Sequence, residues 1–213
     1  MERFFAGLDV SKDETAICVC HEDGTVVCAG KVRTEPDAIL AFLGGMEQKL
    51  VRVILETGRM ANWLHDELSC RKLPVVCVDA RQAHAVLSQM HNKTDANDAA
   101  MLAELARTGF YRKVEVKSRQ GQERRALLAA REAAIGACRN AENTIRGLLA
   151  SFGLRVPTHP RTYEARIRAA LEGQASLGGI ILPLLAVRTE ALRQAAALTK
   201  EMVRQIKGCD ACV

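Results

Sequence analysis

Apolar residues in the first third of the chain fall in short runs broken by charge and glycine. Residues 4–10, 15–20 and 25–32 are three such runs, separated by Lys12-Asp13-Glu14 and Glu22-Asp23-Gly24. Runs of that length between turn residues predict three strands of an antiparallel meander. The spacing then alternates: a helix near 35–48, a strand at 51–55, a helix near 60–71, a strand at 75–78, and helices starting at Ala80 and at Asp95. Strands alternating with helices imply a mixed α/β sheet covered by helices on its faces.

From Ser118 onward no strand pattern occurs. Residues 120–152 predict one long helix, with Leu128, Ile135 and Leu149 at multiples of seven and Cys138, Ile145 and Phe152 in the neighbouring column. Residues 184–207 predict a second, with Leu185, Leu192 and Ile206 in one column and Ala195 and Met202 in the other, interrupted by Arg188 and Thr199. This spacing is that of an all-α antiparallel coiled-coil hairpin. Gly153, Pro157, His159-Pro160 and Gly178-Gly179 supply breakers between the two helices. The expected organisation is a mixed-sheet domain over 1–113 and a helical hairpin over 114–213.

Composition narrows the class. With 48% hydrophobic and 26% charged residues in 213, the chain can bury a core and is not a low-complexity or disordered sequence. Its longest uncharged run, residues 173–187, is shorter than the roughly 20 apolar residues of a membrane span. The amino terminus, Met1-Glu2-Arg3-Phe4-Phe5, reaches an aspartate too soon for a secretory signal. The expectation is a cytoplasmic protein with no membrane partner. In that compartment the eight cysteines behave as small hydrophobes, and the Cys209/Cys212 spacing lacks a second pair for zinc. No GxxxxGK[ST] loop supports nucleotide hydrolysis.

Charge divides the chain unevenly. Residues 1–113 hold 14 Lys+Arg against 16 Asp+Glu, and residues 114–213 hold 16 against 9, thirteen of those cations being Arg. Arginine's planar fork suits phosphate. Arg124, Arg131, Arg139 and Arg146 recur seven or eight apart along one edge of the first long helix. Two roles are open to them: a ridge that tracks nucleic-acid phosphates, or long stems covering apolar surface beside the helical stripe.

The less basic half carries the chemistry. Asp9 ends the first strand and Glu56 the next core strand. If those strands are parallel neighbours, both acids emerge at the carboxyl edge where open α/β sheets place their sites. Asp95 and Asp98 stand at i and i+3 in the first turn of a helix, on one face. Four carboxylates so placed repel one another unless cations lie between them, and an all-oxygen set suits Mg²⁺ or Mn²⁺. A pair of such ions stabilises the attacking and leaving oxygens of a phosphodiester. Lys93 either touches the scissile phosphate or balances the acids.

The ordered set Gly7-Leu8-Asp9-Val10-Ser11, Leu55-Glu56-Thr57-Gly58 and Lys93-Thr94-Asp95 to Asp98-Ala99, followed by an arginine-rich hairpin, resembles the insertion sequence 110 family of DEDD transposases. Gly109-Phe110-Tyr111-Arg112 and Arg146-Gly147-Leu148-Leu149 extend the resemblance over essentially the whole chain. It implies a RuvC-like domain of the ribonuclease-H-like fold over 1–113. It also implies Asp9, Glu56, Asp95 and Asp98 as catalytic, metal-binding residues for two Mg²⁺ or Mn²⁺ ions. The implied activity is metal-dependent DNA strand cleavage and transfer by a homo-oligomer, with DNA as partner and a guide RNA from the same element in characterised relatives. Family members continue into a second domain carrying a serine nucleophile. That domain does not follow within 213 residues, so the expectation is a truncated transposase. Two alternatives stay open: a non-catalytic nucleic-acid-binding or assembly fragment, and a RuvC-like nuclease.

Overall fold

The first strand alternates cleanly, and that alternation organises everything around it. In β1 (Phe4–Val10), Phe4, Ala6 and Leu8 point to one face of the sheet and Phe5, Gly7 and Asp9 to the other. The computed structural model describes residues 2–46, 49–79, 81, 94–156, 159 and 161–207. These form two compact units, Met1–Lys117 and Ser118–Val213.

In the first unit, β1 pairs antiparallel with β2 (Glu14–His21), and β2 pairs antiparallel with β3 (Val26–Arg33). On its other side β1 lies parallel to β4 (Leu50–Glu56), which lies parallel to β5 (Val75–Val78). The order is therefore β3-β2-β1-β4-β5, the meander expected from the sequence continued by a parallel half. Parallel neighbours require crossovers, and α1 (Pro36–Leu43) and α2 (Ala61–Cys70) lie in the connections to β4 and β5. They cover one face with Ile39, Leu43, Leu64 and Leu68 over Leu8, Ile17, Val53 and Leu55. Each such side chain contributes about 1.5–3 kcal/mol on burial.

The opposite face is covered by α3 (Asp95–Thr108) through Ala99, Leu102, Ala103, Leu105 and Ala106. Small residues bring this helix close. An added Cβ on Gly7 would stand 2.2 Å from the Ala99 carbonyl oxygen and 2.3 Å from the Ala103 nitrogen, so only glycine fits where α3 crosses β1. Both ends of the helix are finished locally. The Thr94 hydroxyl accepts from the Asn97 N–H, and Gly109 closes the other end in the left-handed region at φ 74°. The helix expected from Ala80 falls almost entirely outside the described residues.

The second unit is helical, with no strand among its described residues: α4 (Arg119–Ser151), α5 (Tyr163–Ala170) and α6 (Ala175–Lys207). Helices α4 and α6 run antiparallel: Arg131 donates to the Thr199 hydroxyl (2.9 Å) and Arg188 to the Glu142 carboxylate (2.7 Å), so one number rises as the other falls. Two expectations are corrected. Gly178-Gly179 does not break the chain, because α6 starts at Ala175 and carries Pro183 within it. Leu177, Ile181 and Leu185 are buried on one side and outweigh the local cost, while Pro183 and the Gly179 carbonyl it leaves unbonded lie on the exposed side. The eight-residue α5 was also not expected. Its Tyr163, Ile167 and following Leu171 close the core of Ile145, Leu149, Leu177 and Ile181.

The predicted stripe is buried only in part. Cys138, Ala141, Ile145 and Leu149 are covered on α4, whereas Leu128 and Phe152 are exposed; on α6, Leu185, Arg188 and Ala195 are covered, whereas Leu192 and Ile206 are exposed. By length and composition α6 is apolar enough to cross a membrane, a property shared by core helices, and a third of its most apolar stretch is buried here.

Candidate active site

Strand register places the first two acids together. Leu8 pairs with Leu55 across the parallel β1–β4 ladder, so the next residues, Asp9 and Glu56, are neighbours at the carboxyl ends of these strands. Adjacent strands lie about 4.8 Å apart. Both side chains belong to the face covered by α3, since Asp9 follows Phe5 and Gly7 by twos and Glu56 follows Ile54. Each is half-buried. Burial, reinforced by the Glu56 charge, pushes the neighbouring Cys77 thiol up to about 11.

The turn after Asp9 is tied down from both sides. Ser11 Oγ donates to the Glu14 carbonyl (2.6 Å), and the Thr34 hydroxyl donates to the Ser11 carbonyl (3.0 Å) while bonding the buried Thr15 hydroxyl (2.9 Å). These bonds hold the end of β1 and the start of β2, where Glu14 adds another carboxylate on the α3 face.

Asp95 and Asp98 come to the same face from α3. Because that helix is pinned at Gly7, its first turn lies beyond the crossing, toward the carboxyl end of β1. Asp98 is half-buried and Asp95 exposed. A lysine from the far side of the sheet meets Asp95 there. Lys31 of the edge strand β3 pairs with Ala16 of β2, which pairs with Asp9 of β1, so Asp9, Ala16 and Lys31 form one row across the sheet with side chains on the α3 face. The Lys31 ammonium forms an ion pair with the Asp95 carboxylate. That hydrogen bond and charge, then Glu14 and Asp9, raise the Lys31 pKa.

Oxygen-only donors from β1, β4 and α3 match the chemistry of a hard divalent cation. Among the described residues, however, no three His, Cys, Asp or Glu side chains stand close enough to hold a metal ion as arranged here. Asp95 instead neutralises Lys31. Lys93 and His91, which the sequence places beside Asp95, lie outside the described residues.

The four arginines of α4 do not share one environment. Arg131 is half-buried and spent on Thr199, and Arg124 lies beside Arg204 and Gln205 of α6 in a shallow depression of about 330 Å³. Arg139 and Arg146 are exposed, the latter bonded to Asn143 Oδ1 (2.5 Å) on its own helix. Arg188, the interruption in the predicted stripe, is 4% exposed, bonded to Glu142 and stacked 4.5 Å from the Tyr163 ring centroid.

Comparison with known proteins agrees with the sequence motifs. The chain is 26% identical over 170 residues to the transposase for insertion sequence element IS1111A of Coxiella burnetii (strain RSA 493 / Nine Mile phase I). That alignment takes in 79% of this chain and 45% of the relative, so the chain spans less than half the relative's length. The IS110 DEDD family profile, described as Transposase, matches residues 6–153. The match runs from β1 through α4 and includes all four carboxylates, and the chain belongs to the IS110 family of DEDD transposases.

Proposed function

We propose that this chain is the metal-binding part of a DNA recombinase that cleaves and transfers strands, with Asp9, Glu56, Asp95 and Asp98 as its cation ligands. The observation that carries this reading is the Leu8–Leu55 pair of parallel β1 and β4, which brings the following residues, Asp9 and Glu56, side by side at the strand ends, on the face covered by the helix whose first turn bears Asp95 and Asp98. Asp9 and Glu56 are set by the sheet and hardly free to move. Asp95 and Asp98 approach from the helix, and the exposure of Asp95 leaves the site open to a phosphodiester on the side away from the core. Two Mg²⁺ or Mn²⁺ ions bound there would polarise the phosphoryl group and stabilise the attacking and leaving oxygens. The carboxylates' part is to hold positive charge at a fixed place against the substrate backbone.

We further propose that residues 1–113 form a RuvC-like domain and that 114–213 act as a coiled-coil hairpin supporting a homo-oligomer. In this reading Lys93, Arg124 and the exposed Arg139 and Arg146 face nucleic acid, DNA or a guide RNA of the same element, while Arg131, bonded to Thr199, serves the helix pair instead. Titration calorimetry with Mn²⁺ tests the core of the proposal. Wild-type protein binds, and Asp9→Asn and Asp98→Asn each weaken binding at least tenfold without lowering the unfolding midpoint; equal binding by both variants removes the site. A second reading, a non-catalytic nucleic-acid-binding fragment, is favoured by the commitment of Asp95 to Lys31. It predicts that DNA binding is unchanged by those substitutions and by EDTA.

A further inference from the structure

We propose that Lys31 is a positioning residue of this site: its ammonium holds Asp95 toward the edge strand β3 and competes with a divalent cation for that carboxylate. The inference rests on the reading of the four acids as cation ligands.

The geometry supplies the reason. In the order β3-β2-β1-β4, Lys31 and Glu56 arise from strands three spacings apart, about 14 Å at backbone level. Asp9 lies between them, and the residue between Asp9 and Lys31 in the row is Ala16, whose methyl leaves the lysine free to lean inward. The ion pair with Lys31 draws Asp95 toward β3, whereas a cation shared with Glu56 would draw it toward β4. This opposition agrees with the carboxylates not gathering as a trio among the described residues.

Exposure makes the contact exchangeable. The Lys31 and Asp95 side chains are 47% and 61% exposed, and ion pairs between side chains so exposed contribute little in water. A divalent ion carries twice the charge and can take several oxygens at once, so it can displace the ammonium. Until then the lysine neutralises the local excess of acid from Asp95, Glu14 and Asp9.

The test is Mn²⁺ calorimetry on the full chain, comparing wild type with Lys31→Met, Lys31→Gln and Lys31→Arg, with Asp9→Asn as control. The expected result is binding about two- to fivefold tighter in Lys31→Met and Lys31→Gln, wild-type affinity in Lys31→Arg, and loss in Asp9→Asn. If the uncharged variants bind as wild type or more weakly while Asp9→Asn loses binding, the Lys31 inference falls and the cation site stands. Tighter binding in Lys31→Arg as well shows that charge is not the cause and also overturns it. No binding by any of these proteins overturns both readings. A second measurement needs no variant: saturating Mn²⁺ increases labelling of Lys31 by an amine-reactive ester in the wild-type chain, and unchanged labelling counts against the release of Lys31.

Discussion

Gly7 decides how close α3 can come to the sheet, and so where Asp95 and Asp98 stand relative to Asp9. Its missing Cβ is the space taken by the Ala99 carbonyl and the Ala103 nitrogen, both backbone atoms that cannot rotate aside. Gly7→Ala should therefore lift the helix and cost about 3 kcal/mol, read as a lower urea midpoint at unchanged slope. Gly58→Ala, with nothing within 4 Å of the added atom, serves as control and stays near wild type. Asp9, Glu56, Asp95 and Asp98 were legible as candidates because strand ends and helix first turns can be recognised from local pattern. Lys31 was not. In the sequence it is one of two cations alternating along an edge strand, a common way of blunting an edge. Its meaning depends on a register two ladders deep, from β3 through Ala16 to Asp9. The signal was nonetheless available: the turns at 12–14 and 22–24 set the pairing, and carrying it across would have placed Lys31 in the Asp9 row.

Among the elements, α4 and α6 show how a polar group can set register between long helices. Arg188 sits where an apolar heptad residue was expected, buried against Tyr163 and bonded to Glu142. A buried charge left without its partner costs about 3–5 kcal/mol, whereas replacing both partners with apolar residues is often neutral. Glu142→Leu should thus lower stability by about 3 kcal/mol, and the double variant Glu142→Leu/Arg188→Met should return to within about 1 kcal/mol of wild type. Thermal unfolding of the three proteins measures this. A double variant no more stable than Glu142→Leu would assign the cost to packing of the acid stem instead. The start of α6 belongs to the same scale. Glycines and a proline argue locally for a break, but Leu177, Ile181 and Leu185 belong to a core built with α4 and α5, and tertiary burial prevails over propensity.

At the scale of the molecule the two units differ in charge as well as architecture, with the excess of acid in the first and of arginine in the second. If the second unit tracks phosphates, the exposed Arg139 and Arg146 are the ones free to do so. The half-buried Arg131 is tied to Thr199 and serves the helix pair. Changing Arg139 and Arg146 together to Gln should weaken binding to a DNA duplex and reduce the slope of log K against log salt by about 2, without altering the unfolding midpoint. Fluorescence anisotropy across a salt series gives the slope; an unchanged slope would return these arginines to the role of solvated helix surface.

Local pattern alone determined the strand and helix alternation of the first unit, the long helices of the second, the four carboxylates as candidates and the family their motifs point to. Each of these depends on residues within a turn or two of one another, where spacing and turn chemistry act directly. Tertiary structure decided which acids are neighbours, that α3 must rest on a glycine, that the helical stripe is covered along only part of its length, and that a lysine from the far edge strand holds Asp95. Those outcomes depend on contacts between segments tens of residues apart, whose energies come from burial and pairing that no single stretch of sequence contains.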